Sequence, residues 1–149
     1  MAAITTANIR NICFLGHGGS GKTSLAEAML YMHKATDRLG STPAGNTVCD
    51  FDPEEIKRGF TISLSCANFV RNGTKINVID TPGFLGFGGE VITGLRVAGS
   101  AVIVIDAKSG IQVGTELAWE NAEQAKAPKA FFINKCDDPE AKFAPLLAD

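Results

Sequence analysis

"NICFLGHGGSGKTSLAEAML", Asn11 to Leu30, is the stretch that decides the fold. Asn11 to Leu15 is a short, mostly apolar run that stops at a glycine, the pattern of a strand buried on both faces of a parallel sheet. Gly16 to Thr23, "GHGGSGKT", matches G-x-x-x-x-G-K-[ST] in full. The residues that follow place Leu25, Met29 and Met32 at helical spacing, which predicts a helix with those three on its apolar face. Strand, glycine-rich turn and helix are the context in which the motif cradles phosphate. Its glycines let successive N–H groups turn inward, and the helix N-terminus adds partial positive charge. Gly16, His17, Gly18, Gly19, Ser20, Gly21, Lys22, Thr23 and Ser24 are therefore candidate nucleotide contacts. Lys22 is placed to reach the outer phosphates and the Thr23 hydroxyl to bind Mg²⁺. His17 reads as a loop-packing residue rather than a base. The competing reading, a glycine-rich turn with a solvated lysine, is disfavoured by the flanking elements.

Working outward, residues 35–60 are polar, rich in Gly, Pro, Asp and Glu, and read as a long irregular segment of the functional or disordered kind. "TISLSCANFV" and "TKINVID" flank Asn72-Gly73, a hairpin signal that predicts two antiparallel strands. "EVITGLRVAG" predicts a helix ended by Gly99. "AVIVIDA" predicts a buried strand, "TELAWENAEQAKA" a helix, and "KAFFINKCDD" a further strand. Pro139 is expected to open a last helix over 140–149 that Pro145 bends. Strands alternating with helices give an α/β domain: a mostly parallel sheet with one antiparallel hairpin strand and helices on both faces. In such sheets the chemistry gathers at the carboxyl ends of the strands, so the segments after Leu15, Ile79 and Ile133 should converge.

Two of those segments carry polar groups of the right kind. Asp80 ends a strand expected beside the first, where its carboxylate can face Mg²⁺ through a water. Gly83, with no side chain, lets its N–H approach a terminal phosphate. "NKCD", Asn134 to Asp137, follows the last strand. Its carboxylate, Asp137, can accept from the ring N–H and exocyclic amino group of guanine, whereas adenine presents an acceptor there and is repelled. The Lys135 stem can pack on the base and Asn134 can brace the loops.

The 149 residues suffice for one domain, and 45% hydrophobic content is that of a globular protein. A net charge of −2 gives no bulk attraction to DNA or to a membrane surface. No apolar run approaches the ~20 residues of a membrane span. Cys13, Cys49, Cys66 and Cys136 form no C-x-x-C pair, which points to reduced thiols in a cytoplasmic protein rather than zinc or dithiol chemistry.

The ordered motifs together resemble the translational GTPases, with elongation factor G and its paralogues the nearest match. "FDPEEIKRGFTISLS" resembles the family's first switch, with its R-G-x-T-I signature at Arg58 to Ile62. "IDTPGF" resembles the second switch and "INKCD" the guanine motif. The resemblance implies GTP/GDP as ligand, Mg²⁺ as cofactor, GTP hydrolysis to GDP and phosphate, and the ribosome as partner. It implies that Thr61 completes the Mg²⁺ shell over the terminal phosphate, so Lys22, Thr61 and Gly83 become the catalytic candidates and Thr23, Thr61 and Asp80 the metal set. Two positions depart from the pattern. Phe84 stands where the family usually has a water-positioning histidine, and Gly19 where its phosphate loop usually carries an acid. A GTP-binding switch with little hydrolysis is therefore the alternative, and a P-loop ATPase a third reading that "NKCD" opposes. The family continues beyond Asp137, so residues 1–149 are expected to be a truncated GTP-binding domain from the N-terminus of a longer multidomain protein. The final strand and helix would then be missing, leaving an unprotected sheet edge and weakened nucleotide affinity.

Overall fold

The computed structural model describes residues 4–141 and 143–147. Its centre is a five-stranded sheet of β1 (Ile9–Leu15), β2 (Ser65–Arg71), β3 (Thr74–Asp80), β4 (Ser100–Asp106) and β5 (Lys129–Asn134), ordered β2-β3-β1-β4-β5. β1 lies parallel to β3 and β4, β4 is parallel to β5, and only β2 runs antiparallel, against β3. The hairpin turns where expected, with Asn72 and Gly73 both at positive φ (49° and 77°), the backbone that an Asn-Gly turn supplies. β2 starts later than "TISLS" suggests, at Ser65. Residues 61–64 before it form no strand.

Alternate side chains of β1 feed two cores. Phe14 packs with Ala26 and Leu30 of α1 (Lys22–Met32) and with Phe69 and Val78. Cys13 and Leu15 pack on the other face with Leu95 of α3 (Gly88–Val97) and with Ala118 and Ala122 of α4 (Val113–Gln124). Helices thus cover both faces of a mostly parallel sheet. The parallel strands all deliver their carboxyl ends, Leu15, Asp80, Asp106 and Asn134, to one side of the sheet.

Several expectations are corrected. The buried face of α1 is Thr23, Ala26, Glu27 and Leu30; Leu25 and Met29 are half-buried, and Met32 is 76% exposed. Residues 35–60 are not featureless. They hold a 3₁₀ turn at Thr42–Ala44 and a helix, α2 (Pro53–Arg58), started by a capping box between Asp52 and Glu55. Gly99 does not cap α3, which ends at Val97 with Ala98 already extended; the Gly99 N–H instead donates to the Asn11 carbonyl beside the sheet. Pro139 opens no helix, because residues 138–141 form a turn. The last helix, α5, is only Phe143–Leu146, with Pro145 inside its first turn, and 142, 148 and 149 lie outside the described residues.

Candidate functional site

The loop between β1 and α1 wraps around Lys22. Gly16, Gly19 and Gly21 have φ of 135°, 81° and 96°, and only residues without a Cβ take this path at low cost. The buried Lys22 ammonium donates to the carbonyls of Gly16 and His17, each at 3.0 Å. Burial pulls its pKa down to about 8, against the attraction of Asp80 and Asp50. His17 has a packing role: its Nδ1 accepts from the Gly114 N–H at the start of α4, at 3.3 Å. Ser24 is exposed and lines the same cavity as Lys22 and Thr23, a space of about 260 Å³.

Beside Lys22 lies a knot of oxygen atoms from four segments. The Thr23 hydroxyl donates to Asp80 Oδ2 at 2.6 Å. Thr61 Oγ1 lies 3.0 Å from Thr23 Oγ1 and donates to Asp50 Oδ1 at 2.7 Å. Asp80 Oδ1 and Asp50 Oδ2 are buried without a partner. Burial raises the Asp80 carboxyl to about 7, although the Thr23 hydroxyl and Lys22 pull it down; burial raises Asp50 too. Two orphaned carboxylate oxygens beside two hydroxyls form an all-oxygen donor set of the kind Mg²⁺ takes, so these residues fit the cation. The phosphate loop, Thr61 and Asp80 therefore meet as expected, and Asp50, absent from the sequence reading, joins them.

Gly83 sits hard against the loop, where a Cβ would collide with Lys22 Nζ and lie 2.6 Å from the Gly18 nitrogen. Across the cavity the loop after β5 is bound to the phosphate loop. Asn134 Nδ2 donates to the Ser20 carbonyl at 2.9 Å and Lys135 Nζ to the Gly19 carbonyl at 2.8 Å. Lys135 also pairs with Asp106 at 2.7 Å. Burial opposes the Asp106 charge, but Lys135 and the N–H groups of Lys108 and Ser109 hold its carboxyl below the usual range. Asp137 is exposed, two residues beyond Lys135, and is not among the cavity-lining residues.

Sequence reasoning missed Asp50, Glu55, Asp106 and Glu27. Glu55, buried in α2, accepts from the N–H groups of Ile62 at 2.9 Å and Ser63 at 3.0 Å and so fixes the backbone next to Thr61. Glu27, buried in α1, accepts from the N–H groups of Gly40 and Val48 and pins the start of the same long segment. Two signals were present: "DPEE" has the spacing of a capping box, and Asp106 ends a buried strand just as Asp80 does.

A mostly parallel sheet, a glycine-rich phosphate loop and a strand-end carboxylate at its mouth define a P-loop nucleotide-binding domain of the GTPase type. Residues 7–149 match the model of the elongation factor Tu GTP binding domain, and the chain belongs to that family. It is 40% identical to an elongation factor G-like protein of Mycobacterium tuberculosis, over 98% of this chain and 21% of that protein. It is 41% identical to mitochondrial ribosome-releasing factor 2 of Candida albicans, over 95% of this chain and 18% of that protein. A crystal structure of a Thermus thermophilus protein superposes with a TM-score of 0.92 at 36% identity, covering 96% of this chain and 22% of that one. The chain thus spans about a fifth of the length of these relatives. Among the described residues no helix is long and apolar enough to cross a membrane.

Proposed function

We propose that this domain binds GTP with Mg²⁺ and hydrolyses it to GDP and phosphate, as the nucleotide switch of a ribosome-associated, elongation factor G-like translation factor. The observation that carries the reading is the meeting of Thr23, Thr61, Asp50 and Asp80 beside Lys22, at the mouth of the phosphate loop. Thr23 and Thr61 would hold the cation directly, with Asp80 and Asp50 acting through its waters. Bound Mg²⁺ would neutralise charge on the phosphate oxygens. Lys22 would turn from the Gly16 and His17 carbonyls to the outer phosphates, and the Gly83 N–H would point at the terminal one. Catalysis would come from positioning and preorganised charge. Losing the terminal phosphate would remove the partners of Thr61 and Gly83 and relax both segments. Asp137 would read guanine, with Lys135 held beside the base by Asp106. The ribosome as partner rests on the relatives' names. A cytoplasmic location is likewise a proposal, since those relatives include mitochondrial proteins.

Replacing Asp137 tests the base assignment. In the whole protein Asp137→Asn should weaken GTP binding about 10- to 100-fold, the worth of hydrogen bonds to a charged acceptor, and erase the preference over ATP. An unchanged preference in a nucleotide titration would sink the guanine reading. Phe84 favours a second reading, a GTP-binding switch with slow turnover, because its ring offers no strong hydrogen bond to an attacking water. Phosphate release with and without ribosomes, beside Phe84→His, separates the two. Faster release by the histidine variant supports the slow switch, and equal rates support the hydrolase.

A further inference from the structure

Glu27 is a buried carboxylate that the nucleotide-binding groups do not use. It is 1% exposed, and among the described residues no cation pairs with it. A buried charge without a counter-charge costs stability unless hydrogen bonds satisfy it. Here the backbone of one distant segment satisfies both oxygens. Oε1 accepts from the Val48 N–H at 2.5 Å and Oε2 from the Gly40 N–H at 3.1 Å. Gly40 lies so close that a Cβ there would collide with Oε2 and stand 2.8 Å from the Asn46 carbonyl oxygen. Between the two anchored residues the chain is closed on itself. Asn46 Oδ1 accepts from the Ser41 N–H at 2.8 Å, and the Asn46 carbonyl accepts from the Arg38 guanidinium at 3.0 Å.

This mooring leads to the acidic side of the site. Next to Val48 is Thr47, whose hydroxyl oxygen accepts from the Asp50 N–H at 3.2 Å. Asp50 Oδ1 in turn accepts from Thr61, and its Oδ2 is buried without a partner. At the other end, Glu27 lies four residues after Thr23 on the buried face of α1. Thr23 itself donates to Asp80 and lies against Thr61. One helix therefore reaches the oxygen cluster by two routes, directly through Thr23 and indirectly through Glu27, Val48 and Asp50.

We propose that Glu27 is a positioning residue, which moors residues 40–48 on α1 and thereby sets Asp50 in the oxygen cluster. Because α1 begins with Lys22 and Thr23, the helix that closes the phosphate loop also fixes the register of the acidic segment. Two acceptor oxygens are needed, since two N–H groups arrive at once. Glutamine supplies one and turns an N–H₂ donor toward the other N–H. The consequence for a bound cation rests on the nucleotide-binding reading above, whereas the mooring does not.

Glu27→Gln and Gly40→Ala in the whole protein test this, the second by pressing the carboxylate away from the segment's side. In amide hydrogen exchange without ligand, each should speed exchange across residues 39–50 by about 10- to 100-fold, the worth of hydrogen bonds to a charged group, and leave β1, β3 and β4 unchanged. Unaltered exchange over 39–50, or faster exchange throughout the sheet, would overturn the mooring. A Mg²⁺ titration of guanine-nucleotide binding reads the effect on Asp50. The half-saturating Mg²⁺ concentration should rise several-fold in either variant, with nucleotide affinity in EDTA unchanged. In an Asp50→Asn background, Glu27→Gln should raise it no further. Equal losses with and without Mg²⁺, or a rise that persists in that background, would overturn the positioning role. If wild type binds no guanine nucleotide, the proposed function falls, and ligand-free exchange still decides the mooring because the Asp50 N–H is among the amides read.

Discussion

Asp80→Asn should stabilise the ligand-free domain near neutral pH while abolishing its affinity for Mg²⁺ and nucleotide. The Asp80 carboxyl is fully buried, one of its oxygens has no partner, and burial raises its pKa from an ordinary 3.8 to about 7. A carboxyl whose folded pKa lies above its unfolded value binds protons more tightly when folded. Stability therefore falls as pH rises from about 4 to about 7 and stays lowered above that. At ~1.4 kcal/mol per pH unit the cost is ~4 kcal/mol. Lys22 has the opposite sense: burial lowers it from 10.5 to about 8, so its cost is complete below pH 8 and is relieved between about 8 and 10.5. The ligand-free domain should be least stable at about pH 7 to 8, where both charges are forced on it. Asparagine keeps an oxygen for the Thr23 hydroxyl and removes the charge. It also removes the attraction that offsets the burial of Lys22, so the expected net gain at about pH 7.5 is smaller, ~1–3 kcal/mol. Urea unfolding from about pH 5 to about pH 9.5 measures it, a range that brackets both shifted groups. A variant that is less stable than wild type near neutrality, or that keeps the wild-type fall between about pH 5 and 7, would refute the claim that burial of this charge costs stability.

Two further changes probe the supports of the site. Glu55→Gln exchanges a carboxylate that accepts from Ile62, Ser63 and Asp52 for an amide that cannot satisfy all three. It should cost ~1–3 kcal/mol in urea unfolding and weaken nucleotide binding through Thr61, and a change below ~0.5 kcal/mol would mean the bonds are dispensable. Asp106→Asn retains the oxygen bound by the Lys108 and Ser109 N–H groups and loses the one paired with Lys135. Because Lys135 is 44% exposed, stability should shift by less than ~1 kcal/mol, while nucleotide dissociation in stopped flow should quicken several-fold. Unaltered dissociation would show that Lys135 needs no partner.

The parts of the fold legible in the sequence are those written locally. "NICFL" and "AVIVIDA" show as strands because a strand buried on both faces needs an unbroken apolar run, and Asn72-Gly73 shows as a turn because few residues take two positive φ angles in succession. The phosphate loop shows because its chemistry lies within eight consecutive residues, Gly16 to Thr23. Glu27 was not legible for the opposite reason. Nothing near it in sequence says that Gly40 and Val48, far along the chain, will bring their N–H groups to it. Glu27 takes a place on the buried face of α1, and Met32 is exposed although its spacing suggested the core. Asp50 was hidden in a segment without periodicity, and its place beside Thr61 arises only once Glu55 has folded residues 61–63 back. Phe84 was legible as an anomaly but not as a contact, since Phe60 and Gly18 reach it from different elements.

These observations give the site one physical logic. A buried lysine and two buried carboxylates with unpaired oxygens are each costly in the absence of counter-charges. Together they are complementary to a cation on a polyphosphate, which supplies the missing negative charge to Lys22 and the missing positive charge to Asp80 and Asp50. If the domain binds such a ligand as proposed, part of the binding free energy would be recovered strain from the ligand-free fold, and stability and occupancy would be linked. The linkage reaches Thr61 because its hydroxyl lies between Thr23 and Asp50. It reaches Gly83 because that residue touches Lys22 and Gly18. On the proposed function, a nucleotide that relieves the charges at the centre would organise both flanking segments.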